Sequence, residues 1–397
     1  MKVLVAGSGV GGLTTAVALR SRGIEAEIFE AAPGPVVSGG GLGITSNATR
    51  VLGELGLGLP EAGVGRVCEH FRVCAADGTL MREIPIRSIS EELGSPVVNV
   101  RRSELAALLR DGLGDTPVHY GFELTDYHNT DNTDNTGGTG TGTGTGVTIR
   151  AADGRTATGD VLVGADGIRS AVRARMTGPG PEPIHEHGYV CWIATVPFAH
   201  PRLPRGAAAH FWGRGQRFGL MDIGDGRAYW WGTKNTPGRR RLRWAGTKED
   251  ILRCFDGWAE EVRAAIAATP GSDIVCVPAQ DRTFLTTWGT GPVTLVGDAA
   301  HPMLTSLSQG AGTAIEDGHA LARHLATAPH PVTALRQYEA ERRERTRWLV
   351  SASRRLSHLE QLQNPIAVLL RDLVIRYAPD EAVRSRNIEP MRHGLTA

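Results

Sequence analysis

The N-terminal run Lys2-Val-Leu-Val-Ala6 leads directly into Gly7-x-Gly9-x-x-Gly12, a helical pattern over 11–22 and a second apolar run, Glu25 to Phe29, that ends at Glu30. Nothing else in the chain narrows the fold as much. A buried strand, a glycine turn and a helix start, in that order, place free backbone amides and the positive end of a helix where an anion can sit. Gly7 permits the tight turn, Gly9 lets a pyrophosphate approach the backbone, and Gly12 allows the helix to pack closely. Glu30 then accepts from ribose hydroxyls. Gly11, inside the turn, and Ala31, beside Glu30, complete this candidate cofactor segment. The β-α-β unit specifies a dinucleotide without separating FAD from NAD.

Two later segments have a similar design. Asp160-Val-Leu-Val-Gly-Ala-Asp166-Gly-Ile-Arg-Ser170 is a buried strand leading to an acidic turn, with Gly167 expected at positive φ. Val293-Thr-Leu-Val-Gly297-Asp298-Ala-Ala-His301 is a third, followed by Gln309-Gly310-Ala311-Gly312 and a helix. Asp298 is placed to bond a ribitol hydroxyl, and the helix start aims amides at a flavin pyrimidine edge, favouring negative charge there.

Between the motifs, 45–56 predicts a helix capped by Thr45 or Ser46, and 102–112 another starting near Ser103-Glu104. The stretch 129–146 is low-complexity Thr, Gly and Asn without apolar content and is expected to be a disordered loop joining strands Val118–Asp126 and Val147–Ala151. From about 186 to 280 the pattern turns alternating and aromatic, with six of the eight tryptophans, which predicts a mostly antiparallel sheet. Successive strand residues face opposite sides, so Trp230 and Trp231 cannot share a face, and most of these aromatics are expected in the core.

Composition excludes several functions. With 43 basic against 42 acidic residues, nothing points to nucleic acid or an anionic membrane. The five cysteines include no C-x-x-C pair and are odd in number, which argues against a disulfide framework or zinc site and for a reducing cytoplasm. No run of about 18 apolar residues predicts membrane insertion, and no signal peptide is read at Met1-Lys2. His185-Glu-His187, an i, i+2 pair without further ligands, reads as a polar loop, so no metal is expected.

The three motifs in this order resemble the single-component FAD-dependent aromatic monooxygenases of the 4-hydroxybenzoate hydroxylase fold, over nearly the whole chain; in type they are most similar to the urate hydroxylases and 3-hydroxybenzoate 6-hydroxylases. The resemblance implies an α/β fold: a Rossmann-type FAD-binding domain (1–75, 100–185 and 281–330), an inserted mostly antiparallel β-sheet substrate lobe (76–99 and 186–280) and C-terminal helices (331–397). Val100-Arg-Arg102-Ser-Glu-Leu105 is similar to the family's Arg-x-x-Leu segment, which makes Arg102 a flavin-contacting residue, with Gly43 and Leu124 as further contacts. Asp166 falls in the motif associated with FAD and nicotinamide binding. Gln216-Arg217 and Tyr229-Trp-Trp231 resemble urate-hydroxylase segments, so Arg217 and Tyr229 are expected at the substrate. Where the family reads Pro-x-x-Gly-Gln-Gly, this chain has Thr305-Ser-Leu-Ser308-Gln309-Gly310, without the proline that sets a rigid carbonyl near flavin C4a.

The implied activity is monooxygenation. NAD(P)H, which has no Rossmann domain of its own here, would reduce FAD; O2 would then form a C4a-hydroperoxide that delivers one oxygen to a phenol, an indole, a polycyclic ring or another electron-rich small molecule. A monomer or homodimer is expected. The alternatives are a flavin-dependent halogenase or reductase of the same fold, or a non-catalytic FAD-binding module. Tyr189-Val-Cys-Trp192-Ile-Ala194-Thr-Val-Pro197 has Ala194 where the halogenase W-x-W-x-x-P pattern has its second tryptophan.

Overall fold

The computed structural model describes residues 1–35, 39–130, 146–178, 183–236 and 246–392. Its nucleotide domain is a five-stranded parallel sheet in the spatial order Val293–Leu295, Val161–Gly164, Lys2–Ala6, Glu25–Glu30 and Val118–Tyr120. Val293–Leu295, Val161–Gly164 and Lys2–Ala6 are mostly apolar and buried because both of their faces are covered. Helices Val10–Arg20 and Gly310–Thr327 cross closely on one side. A Cβ on Gly318 would fall 2.8 Å from the Thr15 backbone nitrogen, so glycine permits the approach.

The strand expected over 118–126 is two strands in two sheets. Val118–Tyr120 adds to the parallel sheet, while Leu124–Thr130 pairs antiparallel with Gly146–Ala151, itself paired with Thr156–Gly159. Gly121, at φ +67°, makes the break. The Thr/Gly stretch accordingly starts and ends inside strands, at Thr130 and Gly146, and 131–145 lies outside the described residues.

The second lobe is a seven-stranded sheet ordered Val275–Arg282, Ile184–Pro197, Arg227–Asn235, Gln216–Gly224, Ala207–Trp212, His70–Ala75 and Leu80–Ile84. All pairs are antiparallel except the one between Ala207–Trp212 and His70–Ala75. His70–Ala75 thus sits in this sheet, not with the nucleotide domain to which the 1–75 boundary assigned it. One face, with Trp192, Phe218 and Trp230, packs on helices Lys248–Cys254 and Glu260–Ala268. Trp230 and Trp231 do part to opposite faces: Trp230 is fully buried in this core and Trp231 borders a cavity on the other side.

The helix Pro331–Glu360 spans 30 residues, about 45 Å at 1.5 Å per residue, and joins both lobes. Near its start Tyr338 donates to the Leu295 carbonyl (3.0 Å) in the nucleotide domain; near its end Ser357 and the Tyr189 hydroxyl lie 2.9 Å apart in the lobe. Helices Pro365–Tyr377 and Asp380–Ile388 follow and close over the sheet. Among the described residues no helix is long and apolar enough to cross a membrane.

Candidate active site

The first turn of the chain has the geometry its glycines demand. Gly7 adopts φ +101°, and a Cβ there would lie 2.5 Å from the Ala165 carbonyl oxygen; one on Gly12 would lie 1.9 Å from the Gly7 carbonyl oxygen. Gly9 has open space around it, so a ligand can reach its backbone. Gly11 instead faces Ala314 and Val296, which a Cβ there would meet at 3.4 and 3.7 Å, so it is, like Gly12, a packing residue and not a lining one. A cavity of about 450 Å³ opens here, lined by Gly7, Gly9, Glu30, Ala31, Arg102, Leu124 and Asp166.

The two acids in this cavity are held differently. Glu30 accepts from the Ser8 amide and hydroxyl (both 2.7 Å) through one oxygen and from the Ala32 amide (2.8 Å) through the other, leaving lone pairs for a ribose. Asp166 accepts from the Ala171 and Val172 amides (2.7 and 3.2 Å) through Oδ2, while Oδ1 is buried and unpartnered. Burial pushes the Asp166 carboxyl above its usual pKa. An orphaned acceptor bordering a cavity calls for a ligand donor. The glycine cradle and this oxygen fit the adenosine and pyrophosphate half of FAD.

The third motif lies deeper. Gly297 takes φ +58° at the start of the single turn Gly297–Ala299, and Asp298 is exposed at its surface while the surrounding protein raises its pKa by burial. The turn is fixed from below by a buried acid that sequence reasoning missed. Asp317 accepts from the Gly297 amide (2.9 Å) and from Arg342 Nε (2.8 Å), and lies 2.6 Å from His301 Nε2. Glu316 ties Arg342 and Arg345 beside it. The available signal was an adjacent Glu-Asp pair in an otherwise apolar helical stretch.

After His301 comes the turn Thr305–Leu307, then Ser308 at φ +53°. Gln309 is fully buried, donating to the Thr45 hydroxyl (3.0 Å) and accepting from Asn47 (3.1 Å). That bond, and one from Thr45 to Asn47, occupies the hydroxyl expected to cap helix Ser46–Glu54, which has no side-chain cap. Gly310, Ala311 and Gly312 form the first turn of the following helix and line neither cavity; Gly312 faces Ala48. Arg102 lies between the two ends of the site: a Cβ on Gly39 would come within 3.3 Å of its stem, and its charge acts on both Asp298 and Tyr229.

A second cavity, of about 600 Å³, is bounded by the sheet, loop 305–309, Gly43 and the C-terminal helices. Its lining is mostly apolar, including Phe71, Trp212, Met221 and Trp231 on the sheet and Leu356, Leu370 and Val374 on the helices. Of the two residues expected at the substrate, neither lines it. Arg217 is 2% exposed and paired with Glu360 at 2.5 Å, and the same Glu360 oxygen accepts from Ser306 (2.6 Å). The last residue of a helix more than 140 positions away withdraws this cation from the cavity. Tyr229 packs its ring over Gly40 and Gly41, where added Cβ atoms would come within 2.7 and 2.5 Å, and stacks on Trp231 at 5.6 Å. It joins the lobes, and burial holds its phenol in the protonated form. His187 pairs with Asp281 at 3.0 Å, and His185 lies 3.0 Å from the Thr283 hydroxyl.

Comparison with known proteins places these features in a family. Residues 1–353 match the FAD-binding domain family. Over 97% of its length the chain is 33% identical to the aurachin C monooxygenase/isomerase of Stigmatella aurantiaca, covering 96% of that protein. It is 30% identical to the FAD-dependent urate hydroxylase of Klebsiella pneumoniae, with 91% and 92% of the two chains covered. The solved structure of Klebsiella pneumoniae HpxO with FAD and uric acid superimposes with a TM-score of 0.88 at 27% identity, over 98% and 96% of the chains. With the glycine cradle and Asp298 turn formed as they are, the chain belongs to the FAD-binding domain family and is an FAD-dependent monooxygenase.

Proposed function

We propose that this enzyme uses NAD(P)H and O2 to insert one oxygen atom into an aromatic or other electron-rich small molecule held in the second cavity. The observation that carries the reading is the large, apolar-lined space beside loop 305–309, the segment that follows the Asp298 turn. Relatives named as a monooxygenase/isomerase and a urate hydroxylase support the reaction class. We infer a cytoplasmic setting from five free cysteines.

Bound FAD supplies hydride acceptance from NAD(P)H and activation of oxygen. The chain's own groups would do the rest. Gly7, Gly9, Glu30, Ala31 and Asp166 would hold the adenosine half, with the Asp166 oxygen that lacks a partner receiving a hydroxyl. Asp298 would receive a ribitol hydroxyl, and Arg102, Gly43, Leu124 and the amides of Gly310 to Gly312 would surround the remainder. The start of helix Gly310–Thr327 favours negative charge nearby, worth about 0.3–1 kcal/mol. The apolar wall excludes water, which would otherwise divert reducing equivalents into peroxide. Arg217 would act by setting the position of Glu360 and Ser306, and Tyr229 by fixing the junction of the lobes.

The test is single-turnover oxygenation. FAD-loaded enzyme, NADH or NADPH, ¹⁸O2 and a panel of phenols, indoles and polycyclic ketones should give a product heavier by one labelled oxygen. Oxidation of NAD(P)H that yields only peroxide across the panel would overturn the proposal.

A further inference from the structure

Among the polar side chains that line the cavity is His210, which nothing else in the protein uses; Asn99 Nδ2 and Trp212 Nε1, also on lining residues, are unpaired but buried. His210, on strand Ala207–Trp212, points to the cavity side of the sheet with Ala208 and Trp212. Its neighbours are rings set edge-on: Phe71 at 4.8 Å and 77°, and Trp231 at 4.9 Å and 87°. Gly219, opposite His210 in register, leaves the room that brings the Trp231 ring there, since a Cβ at that position would lie 2.0 Å from the indole. Among the described residues neither ring nitrogen of His210 has a hydrogen-bond partner, and its remaining exposure is to the cavity. Burial and the nearby Arg217 push its pKa down to about 3, so the imidazole is neutral. A neutral imidazole offers one donor and one acceptor and no charge.

The cations around it are spoken for. Arg217 is bound by Glu360, Arg82 lies 3.2 Å from Asp380, and Arg371 donates to the Gly213 and Leu359 carbonyls and lies 2.8 Å from Asp372. Arg386 is at the exposed rim. An anionic ring compound entering this space would lose its hydration and, among the described residues, meet no free cation at depth, at a cost of several kcal/mol. An apolar one would lose nothing, and a single carbonyl, hydroxyl or ring N–H would find His210.

We infer that His210 is the polar anchor of the substrate site and that the site selects an uncharged, mainly apolar fused-ring compound carrying one neutral hydrogen-bonding group. This rests on the second cavity being the substrate site of the proposed monooxygenase.

The oxidised FAD-bound enzyme, titrated while its flavin absorbance is followed, tests the inference without turnover. The probes are 2-naphthol, 2-naphthoate and naphthalene at pH 7.5. We expect 2-naphthol to bind at least about tenfold tighter than 2-naphthoate. His210→Phe should reduce the advantage of 2-naphthol over naphthalene by about tenfold, the effect of one lost hydrogen bond to a buried group, and His210→Gln should restore part of it. The inference is overturned if 2-naphthoate binds as tightly as 2-naphthol, or if the naphthol-to-naphthalene ratio is the same in His210→Phe as in the wild type. Because binding is read on oxidised flavin, either failure is separate from a failure to oxygenate, which would count against the proposed reaction.

Discussion

At the scale of single residues, Ser308 is the clearest departure from what its backbone prefers. The aligned family position is glycine, and this chain keeps the left-handed conformation, φ +53°, while placing a side chain on it. An L-residue there costs about 1–2 kcal/mol, and glycine returns part of that as lost chain entropy. Ser308→Gly should therefore raise stability by about 0.5–1 kcal/mol, measured as a higher denaturant midpoint of the FAD-bound enzyme at an unchanged slope. Residue-level reading of the sequence worked where backbone geometry alone decides. Gly7 and Gly12 are required because a Cβ at either would fall 2.5 or 1.9 Å from a carbonyl oxygen of this same domain, and a spacing rule contains that information. It failed at Arg217, whose motif says nothing of Glu360. A buried cation is defined by its partner, and the partner here arrives from the far end of another helix.

At the scale of elements, the buried charges between helices Gly310–Thr327 and Pro331–Glu360 decide how firmly the Asp298 turn is held. Burial pushes the Asp317 carboxyl up, but His301 and Arg342 outweigh it and hold the group below its usual value. A depressed carboxyl contributes stability that is full above its unfolded pKa, about 3.9, and is lost as pH falls through the folded one. Asp317→Asn leaves Arg342 short of one carboxylate and should cost about 3–5 kcal/mol at pH 7. Urea unfolding of both proteins as a function of pH checks this: the gap should be constant from pH 7 to about 5 and close below the folded pKa of Asp317. Pattern reading found the helices because their periodicity is local. It merged 118–126 into one strand because apolar alternation continues through a break that Gly121 makes with its φ of +67°, and a lone glycine in a strand pattern is an ambiguous signal.

At the scale of the molecule, the second cavity exists only when segments 70–75, 207–212, 227–235, 305–309 and 356–391 have come together, so no single motif announces it. Its outer wall is helix Pro365–Tyr377, where Ile366, Leu369, Leu370, Leu373, Val374 and Tyr377 are all at least 42% exposed. Leu370 and Val374 also line the cavity, so this helix separates the apolar space from water; Ile366, at 68% exposure, does not line it. That difference supplies its own control. Leu370→Glu introduces a carboxylate that must draw water into the wall, because burying it dry costs several kcal/mol. If water exclusion governs how reducing equivalents are spent, the variant should keep its FAD and its rate of NAD(P)H oxidation within about twofold while the fraction appearing as peroxide rises severalfold. Ile366→Glu, one turn away on the same helix but outside the cavity, should leave that fraction at the wild-type level. Peroxide and oxygenated product measured against NAD(P)H consumed distinguish the two variants, and equal peroxide from both would show that this helix does not seal the site.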